Sequence, residues 1–280
     1  LGEVLEAEAR LNLHATYFEL MIAAAMVAFR EGGIDLALVE VGMGGRWDST
    51  NALDPILTVL TNVALDHTQF LGDTRELIGR EKLCTARDGR PLVLGPRLEP
   101  AWVAPLLECS PVLHPTSELA LETLRWDHSE AGGYRLGLAG RHQVQNASTA
   151  REALRQLDAL GWSVPEAAIR EGFAGARWPG RLWRVPGLPD AWIDGAHNPD
   201  GAAALAAHAV ATGTRPHLLF GAMGDKDLRG VVEALRRIEA PSVTLVRGTD
   251  PRYGTADALR EAWGQDLEVL APEAAVGWLQ

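Results

Sequence analysis

The residues most suited to chemistry lie in short polar strings that follow apolar runs. One string, VEVGMGGRWDSTN (39–51), carries Glu40 and Asp48 around its glycines. A carboxylate at the end of a buried strand suits a hard cation such as Mg²⁺, which prefers oxygen ligands. The alternative is a capped turn in which Glu40 pairs with an arginine, and spacing alone does not separate the two. The string is not a dinucleotide fingerprint, because Trp47 stands where the third glycine belongs, and no P-loop string occurs in the chain.

A second string, LDHTQFLGD (65–73), places Asp66 and His67 after another apolar run. These residues can supply a metal ligand or a base, although a lone histidine is more often structural. The functional interpretation gains weight if this strand lies beside the strand that carries Glu40. Lys82, in REKLC, is by itself most simply a solvated helical lysine.

Three later strings carry groups suited to a nucleotide. Asn146, in GRHQVQNA, has an amide that can pair with a purine edge, although caps and turns use most asparagines. Arg181, in WPGR, is either a cation that meets phosphates or a surface arginine. IDGAHNPDG is the richest string: Asp194 ends an apolar run, as ribose-binding acids do, and Asp200 opens a helix whose amino end attracts anions. GAMGDKD (221–227) is a weaker candidate.

Alternating helix and strand patterns surround these strings. Apolar residues at helical spacing, bounded by caps and glycines, predict helices over 14–31, 73–86 and 143–160, the second begun by a capping box of Asp73 and Glu76. Continuous apolar runs predict buried strands at 34–41, 56–63 and 90–95. The alternating segments LALETLRW and GYRLGLAG predict an antiparallel pair. After residue 190, three units of strand, glycine-bearing loop and helix follow.

The Pro- and Gly-rich segment 175–190 marks a boundary between two α/β domains, 1–177 and 178–280. In open parallel sheets, ligands bind beyond the carboxyl ends of the strands, which is where each polar string is predicted to lie.

Composition narrows the class of protein. A net charge of −11 disfavours nucleic acid as a partner, because a phosphate backbone needs a basic surface. No apolar run has the roughly 20 residues of a membrane helix. Two cysteines, Cys84 and Cys109, form neither a disulfide framework nor a zinc site and are interpreted as small hydrophobic residues. We therefore expect a cytoplasmic protein.

In the same order along the chain, the strings VEVGMGGRWDSTN, LDHTQFLGDTRELIGREK, GRHQVQNA, WPGR, DGAHNPDGA and GAMGDKD resemble the folylpolyglutamate synthases and bifunctional dihydrofolate synthases, the folate branch of the Mur ligases. The resemblance implies a P-loop ATPase-like parallel-sheet domain, whose amino-terminal part is absent from this chain, followed by a Rossmann-like α/β domain. It implies a monomer that uses ATP and Mg²⁺ to join L-glutamate to folate or dihydropteroate through an acyl phosphate, without nucleic acid or membrane.

By the same resemblance, Glu40 and His67 hold Mg²⁺, and Lys82 is carbamylated and reaches a second metal ion. Carbamylation needs a neutral amine to meet CO₂, and it converts a cation into a carboxylate ligand.

The remaining roles that the resemblance implies concern the substrates. Asn146, Arg181 and Asp194 bind ATP, His197 lies near the reacting groups, and Phe18 lies near the pterin, although a helix core residue needs no such role.

Two departures from the family pattern bear on activity. The glycine-rich phosphate loop that ends in Gly-Lys-Ser is expected before residue 1, and without it the chain is expected to bind ATP poorly. Leu83 and Cys84 replace two small residues beside Lys82.

Three alternative functions stay open. The first is a nicotinamide oxidoreductase, which the missing dinucleotide fingerprint disfavours. The others are a non-catalytic folate- or nucleotide-binding relic and a peptidoglycan Mur ligase acting on a UDP-sugar.

Overall fold

The structure, a computed structural model, describes residues 1–188 and 190–278. The chain forms two compact units, Leu1–Thr116 and Ser117–Gln280. The predicted domain boundary at residues 177–178 lies inside the second unit and stays a prediction. The α/β class is confirmed, because each unit contains a three-stranded parallel sheet accompanied by helices.

The first unit contains five helices and three strands, joined by two 3₁₀ turns at Ser49–Ala52 and Ala104–Leu106. The elements are α1 (Gly2–Leu11), α2 (Tyr17–Glu31), β1 (Thr58–Leu60), α3 (Thr68–Leu71), α4 (Arg75–Leu83), β2 (Pro91–Leu94), α5 (Pro100–Val103) and β3 (Val112–Pro115).

The helix predicted over 14–31 is confirmed as α2. Thr16 and Glu19 form a capping box at its start, with each side chain accepting a hydrogen bond from the other residue's backbone N–H, and Gly32 ends the helix. These reciprocal bonds satisfy two of the N–H groups that a helix start leaves open.

The strands predicted at 56–63 and 90–95 are confirmed as β1 and β2, in the order β1-β2-β3. The strand predicted at 34–41 is wrong: this segment is irregular, and Leu38 is 97% exposed. A parallel strand needs a neighbour for its backbone hydrogen bonds, and β1 pairs with no strand except β2 within the described part of the chain. An apolar run predicts burial but does not specify the partner.

The predicted capping box at Asp73 is also wrong by one residue. Thr74 caps α4 by accepting a hydrogen bond from the backbone N–H of Leu77. Glu76 instead accepts a hydrogen bond from Nε1 of Trp102, at 3.1 Å. A tertiary contact has thus taken the side chain that the local pattern assigned to the cap.

The second unit begins with an antiparallel sheet and continues with alternating helices and strands. Its elements are β4 (Leu121–Leu124), β5 (Ser129–Ala131), β6 (Tyr134–Leu136), α6 (Arg141–Ala159), α7 (Glu166–Gly175), β7 (Trp183–Arg184), β8 (Trp192–Ile193), α8 (Pro199–Thr212), β9 (Leu218–Phe220), α9 (Leu228–Leu235), β10 (Val243–Val246), α10 (Ala256–Trp263), β11 (Val269–Leu270) and α11 (Pro272–Trp278), with a 3₁₀ turn at Arg236–Ile238.

The predicted antiparallel pair is only partly correct. The two segments become β4 and β6, but β5 lies between them and pairs with both. The helix predicted over 143–160 is confirmed as α6. Alternation after residue 190 is confirmed, and β9, β10 and β11 form a parallel sheet joined through α9 and α10. The first predicted strand of that series, β8, pairs with β7 in antiparallel fashion instead.

Each unit has its own hydrophobic core. Leu92 and Leu94 of β2 are fully buried in the first unit, and Leu245 of β10 is fully buried in the second. No helix of the described residues is long and apolar enough to cross a membrane.

Candidate active site

The glycine string of the first unit is a loop that Asp48 caps from within. Its Oδ2 accepts hydrogen bonds from the backbone N–H groups of Gly42 and Met43, both at 3.0 Å, and its Oδ1 accepts from Thr50. Burial alone would raise the pKa of Asp48, but these hydrogen bonds hold it below its ordinary value. Asp48 therefore shapes the loop by binding the loop's own backbone.

Arg46 joins this loop to the end of α4. Its backbone N–H donates to the carbonyl of Glu81 at 3.0 Å, and its Nε donates to the Glu81 carboxylate at 2.9 Å. The guanidinium also forms two hydrogen bonds to Glu108. The hydrogen bonds from Glu108 and then Glu81 raise the pKa of Arg46 above its ordinary value. A Cβ atom built on Gly45 would lie 2.5 Å from the Glu81 carbonyl, so only glycine permits this approach.

Lys82 lies in the turn of helix to which the loop is fixed. Its side chain is half-buried, and it makes no hydrogen bond or ion pair with any described residue. Burial lowers the pKa of its amine, and the Asp66 carboxylate partly opposes that shift. Lys226 is the other lysine of the sequence, and it differs in pairing with Asp225 at 3.6 Å.

Asp66 and His67 follow β1 and begin α3. The backbone N–H of His67 donates to Oδ1 of Asp66 at 2.8 Å, and Nε2 of His67 lies 4.0 Å from the same oxygen. His67 has a positive φ of 50°. Glu40 is exposed and makes no hydrogen bond or ion pair within residues 1–188 and 190–278, so the alternative of an arginine-paired turn receives no support. Arg46 pairs with other acids.

The described residues contain no group of three His, Cys, Asp or Glu side chains placed to hold a metal ion. Mg²⁺ in nucleotide sites is commonly bound by one or two protein ligands together with water and phosphate oxygens. The exposed carboxylate of Glu40 and the accessible ring of His67 fit such a sparse set, and their metal-binding role stays a prediction.

Phe18 of α2 lies against the glycine loop. A Cβ atom built on Gly42 would lie 2.5 Å from Cζ of the Phe18 ring, and Phe18 is 40% exposed. The interpretation of Phe18 as a helix core residue therefore accounts for only part of its surroundings, because the residue is partly exposed beside the loop.

In the second unit, Asp194 follows β8 and binds two separate backbone segments. Its Oδ2 accepts a hydrogen bond from the N–H of Leu182, and its Oδ1 accepts from Ala196, both at 2.9 Å. The N–H of Gly195 donates to the carbonyl of Gly180 at 2.7 Å. The turn that carries Arg181 is thereby fixed to the loop that carries Asp194.

Two further predicted residues differ in their placement. His197 lies in the same loop, and its Nδ1 is 2.9 Å from the Gly195 carbonyl. Asn146 lies on α6, exposed, and its amide donates to Oε1 of Gln143 at 3.0 Å, so its contact is within its own helix. The structure thus brings together Arg181, Asp194 and His197.

Sequence reasoning missed Arg46 and Leu182. Glu108, the partner of Arg46, lies 62 positions away, and no spacing rule connects the two. Leu182 has a positive φ of 43°, which is rare for a leucine, and the only sequence signal was its position after the Pro-Gly turn.

The parallel sheet and strand-end loops of the second unit correspond to a known domain class. The model of the family described as "Mur ligase, glutamate ligase domain" matches residues 180–277. The chain is 35% identical over 263 residues to the dihydrofolate synthase/folylpolyglutamate synthase of Escherichia coli (strain K12), which covers 91% of this chain and 61% of that protein.

Solved structures agree with this match. A structure of E. coli FolC in complex with ADP, without folate substrate, superposes with a TM-score of 0.82 and 32% identity, covering 97% of this chain and 68% of that one. A bifunctional folylpolyglutamate synthase/dihydrofolate synthase with Mn, AMPPNP and L-glutamate bound gives a TM-score of 0.73 at 28% identity, covering 94% of this chain and 65% of that one.

The fold and these matches identify the chain as a member of the Mur ligase class, with a match to the glutamate ligase domain over residues 180–277. More specifically, the chain belongs to the folylpolyglutamate synthase/dihydrofolate synthase family. It spans about three fifths of the length of the E. coli relative.

Proposed function

We propose that the whole protein is an ATP-dependent amide ligase that joins L-glutamate to a folate-type carboxylate. The observation that carries the proposal is Lys82: its amine is half-buried, has no ion pair and lies near Asp66, and its backbone lies against Gly45 of the glycine loop. A lysine with a lowered pKa is neutral more often, which is the form that reacts with CO₂. Relatives named for this reaction, one of them solved with AMPPNP and L-glutamate, support the assignment.

The proposed ligation proceeds in two steps, formation of an acyl phosphate and formation of the amide. The folate-side carboxylate attacks the γ-phosphorus of ATP, which forms an acyl phosphate and releases ADP. The amine of glutamate then attacks the acyl carbon, and the tetrahedral intermediate expels phosphate as the amide forms and the amine loses its proton. Catalysis of both steps requires phosphate charge to be neutralised and the reactants to be aligned without water.

The first unit would supply the groups that act on the reacting centre. Glu40 and His67 would hold Mg²⁺, which lowers the negative charge on the phosphates when bound, and a carbamate on Lys82 would provide a further oxygen ligand. Phe18, partly exposed beside Gly42, would contact the pterin ring.

The second unit would bind the nucleotide. Arg181 makes no ion pair within the described residues and would meet the phosphates, and Asp194 has lone pairs left to accept ribose hydroxyls. Asn146 would bind the base, and His197 would lie near the reacting groups. A domain boundary near residue 177 would assign Arg181, Asp194 and His197 to the glutamate ligase domain and leave Asn146 in the domain before it.

We also infer a cytoplasmic monomer. The sequence has two cysteines, both free in the structure, which fits a reducing compartment. Family resemblance favours a monomer, and sedimentation of the purified protein would measure it.

ADP release is the direct test. The native-length protein with Mg²⁺, ATP and L-glutamate is expected to release ADP only when a folate-type acceptor is added. Dihydropteroate and tetrahydrofolate are tested as separate acceptors. Turnover with both would identify a bifunctional enzyme, and turnover with one would identify a synthase specific for that acceptor. A folded protein that is silent with both would be a binding relic, and turnover with a UDP-sugar acceptor would indicate a peptidoglycan ligase.

A further inference from the structure

The backbone of Leu182 adopts a conformation that its residue type disfavours. Its φ is 43°, in the left-handed region, and its side chain is only 7% exposed. Four other non-glycine residues of the described chain have positive φ, and all four are exposed: Asn12, His14, His67 and Glu239. A strained conformation persists only where surrounding contacts impose it, and such positions cluster at functional sites.

The contacts that impose it come from the loop after β8. The Leu182 N–H donates to Oδ2 of Asp194, and the Gly195 N–H donates to the Gly180 carbonyl. The buried Leu182 side chain provides a third attachment. The residue between these two links, Arg181, therefore has its backbone fixed on both sides.

The Arg181 side chain extends to the loop after β8. Its Nη1 is 3.2 Å from the position that a Cβ atom on Gly195 would occupy, so the guanidinium lies directly over that glycine. The guanidinium forms no ion pair or hydrogen bond among residues 1–188 and 190–278. The fixed backbone on both sides of Arg181 is therefore the constraint that the described residues place on this side chain.

We propose that Leu182 is a positioning residue for Arg181: its left-handed backbone, held by Asp194, places the guanidinium over Gly195 to receive an anionic group. The proposal rests on the proposed function, in which that group is a nucleotide phosphate. Arginine is suited to this role because its planar fork matches phosphate oxygens, provided that the fork is correctly aimed.

Leu182→Ile separates backbone conformation from side-chain size. The two residues are isomers, but a branch at Cβ disfavours the left-handed region. We expect the affinity of the native-length protein for ADP to fall by about tenfold in this variant. Leu182→Asn, which tolerates positive φ, is expected to stay nearer to the wild type in affinity. The control is Leu235→Ile on α9, which makes the same isomeric change at a buried helical position, 6% exposed, without positive φ.

A double-mutant cycle tests whether the effect passes through Arg181. ADP affinity is measured by titration calorimetry for Leu182→Ile, Arg181→Ala and the double variant. Positioning predicts that Leu182→Ile causes no further loss once Arg181 is absent, whereas a merely structural role predicts that the two losses add. Additive losses, or an unchanged affinity in Leu182→Ile, would overturn the positioning role and leave the proposed function intact. A folded wild type that binds no ADP would overturn both.

Discussion

Trp126, in the turn between β4 and β5, stacks on His208 of α8 with ring centroids 5.3 Å apart and an interplanar angle of 26°. Trp192 of β8 meets the edge of Trp126 at 6.1 Å. His208 is 2% exposed, and neither ring nitrogen has a hydrogen-bond partner of ordinary geometry among the described residues. Burial lowers the pKa of His208; the Trp126 backbone opposes that shift, and nearby His142 adds to it.

This lowered pKa makes folding stability depend on pH in a defined direction. The unfolded chain binds more protons at this position than the folded chain, so the free energy of unfolding falls as pH drops below the ordinary histidine value of 6.5. In His208→Phe this contribution is removed, and the loss of stability between about pH 7.5 and 5.5 should be smaller. Urea unfolding at both pH values measures the difference. Equal slopes in the wild type and His208→Phe would contradict the assignment.

Gly45→Ala should separate the glycine loop from α4. The added Cβ would lie 2.5 Å from the Glu81 carbonyl and 2.9 Å from that of Lys82, both backbone atoms. Overpacking of this kind destabilises by roughly 1–3 kcal/mol. Gly172→Ala, on an exposed face of α7 with nothing within 4 Å of the new Cβ, should instead stabilise by roughly 0.5–1 kcal/mol. Thermal unfolding of both variants gives the comparison, and a Gly45→Ala protein as stable as the wild type would show that the loop moves freely.

Carbamylation of Lys82 should be visible without any assay of catalysis. Residues 1–280 contain two lysines, so ¹³C NMR in ¹³C-bicarbonate has two side chains of this chain to distinguish. Lys82→Arg should abolish the side-chain carbamate resonance, and Lys226→Arg should retain it, because burial favours the neutral amine at Lys82. A resonance that persists in Lys82→Arg would assign the modification elsewhere.

Leu83→Ala should destabilise the protein far more than Cys84→Ala. Leu83 is 2% exposed within the core of the first unit, and large-to-small changes at such positions cost about 2–5 kcal/mol. Cys84 is partly exposed, and its Sγ contacts the Arg80 carbonyl, so its replacement should cost less than about 1 kcal/mol. Urea unfolding measures both. Comparable losses would mean that Cys84 also supports the turn beside Lys82.

Much of the fold was predictable, because helices and parallel strands leave local patterns. The α2 helix follows from its apolar spacing and the glycines after it, and β2 follows from a short apolar run. Residues 34–41 show where local patterns fail. Their apolar pattern is that of a buried strand, but a strand forms only where a neighbouring strand pairs with it. The cap of α4 shows a second limit: Thr74 and Asp73 are both good caps by residue type, and the structure uses Thr74 while Glu76 binds Trp102.

The candidate site was predictable as a set of residues and less so as an arrangement. Polar strings at strand ends identified Asp194 and His67, because apolar runs locate the ends. The same strings did not show that Asp48 is used inside its loop, since its partners are backbone N–H groups. Arg46 was missed for a related reason: Glu108, its distant partner, carries no sequence signal of that contact.

The stack of Trp126 on His208 bears on where the chain can be cut to express its second unit alone. The segment recognised as a glutamate ligase domain begins at residue 180, whereas the compact unit that contains it begins at Ser117. An excision at residue 178 would remove Trp126 and leave the apolar faces of Trp192 and His208 in water. The segment that the family model matches and the unit that is compact therefore begin at different residues, and an expression clone of this region should start at residue 117.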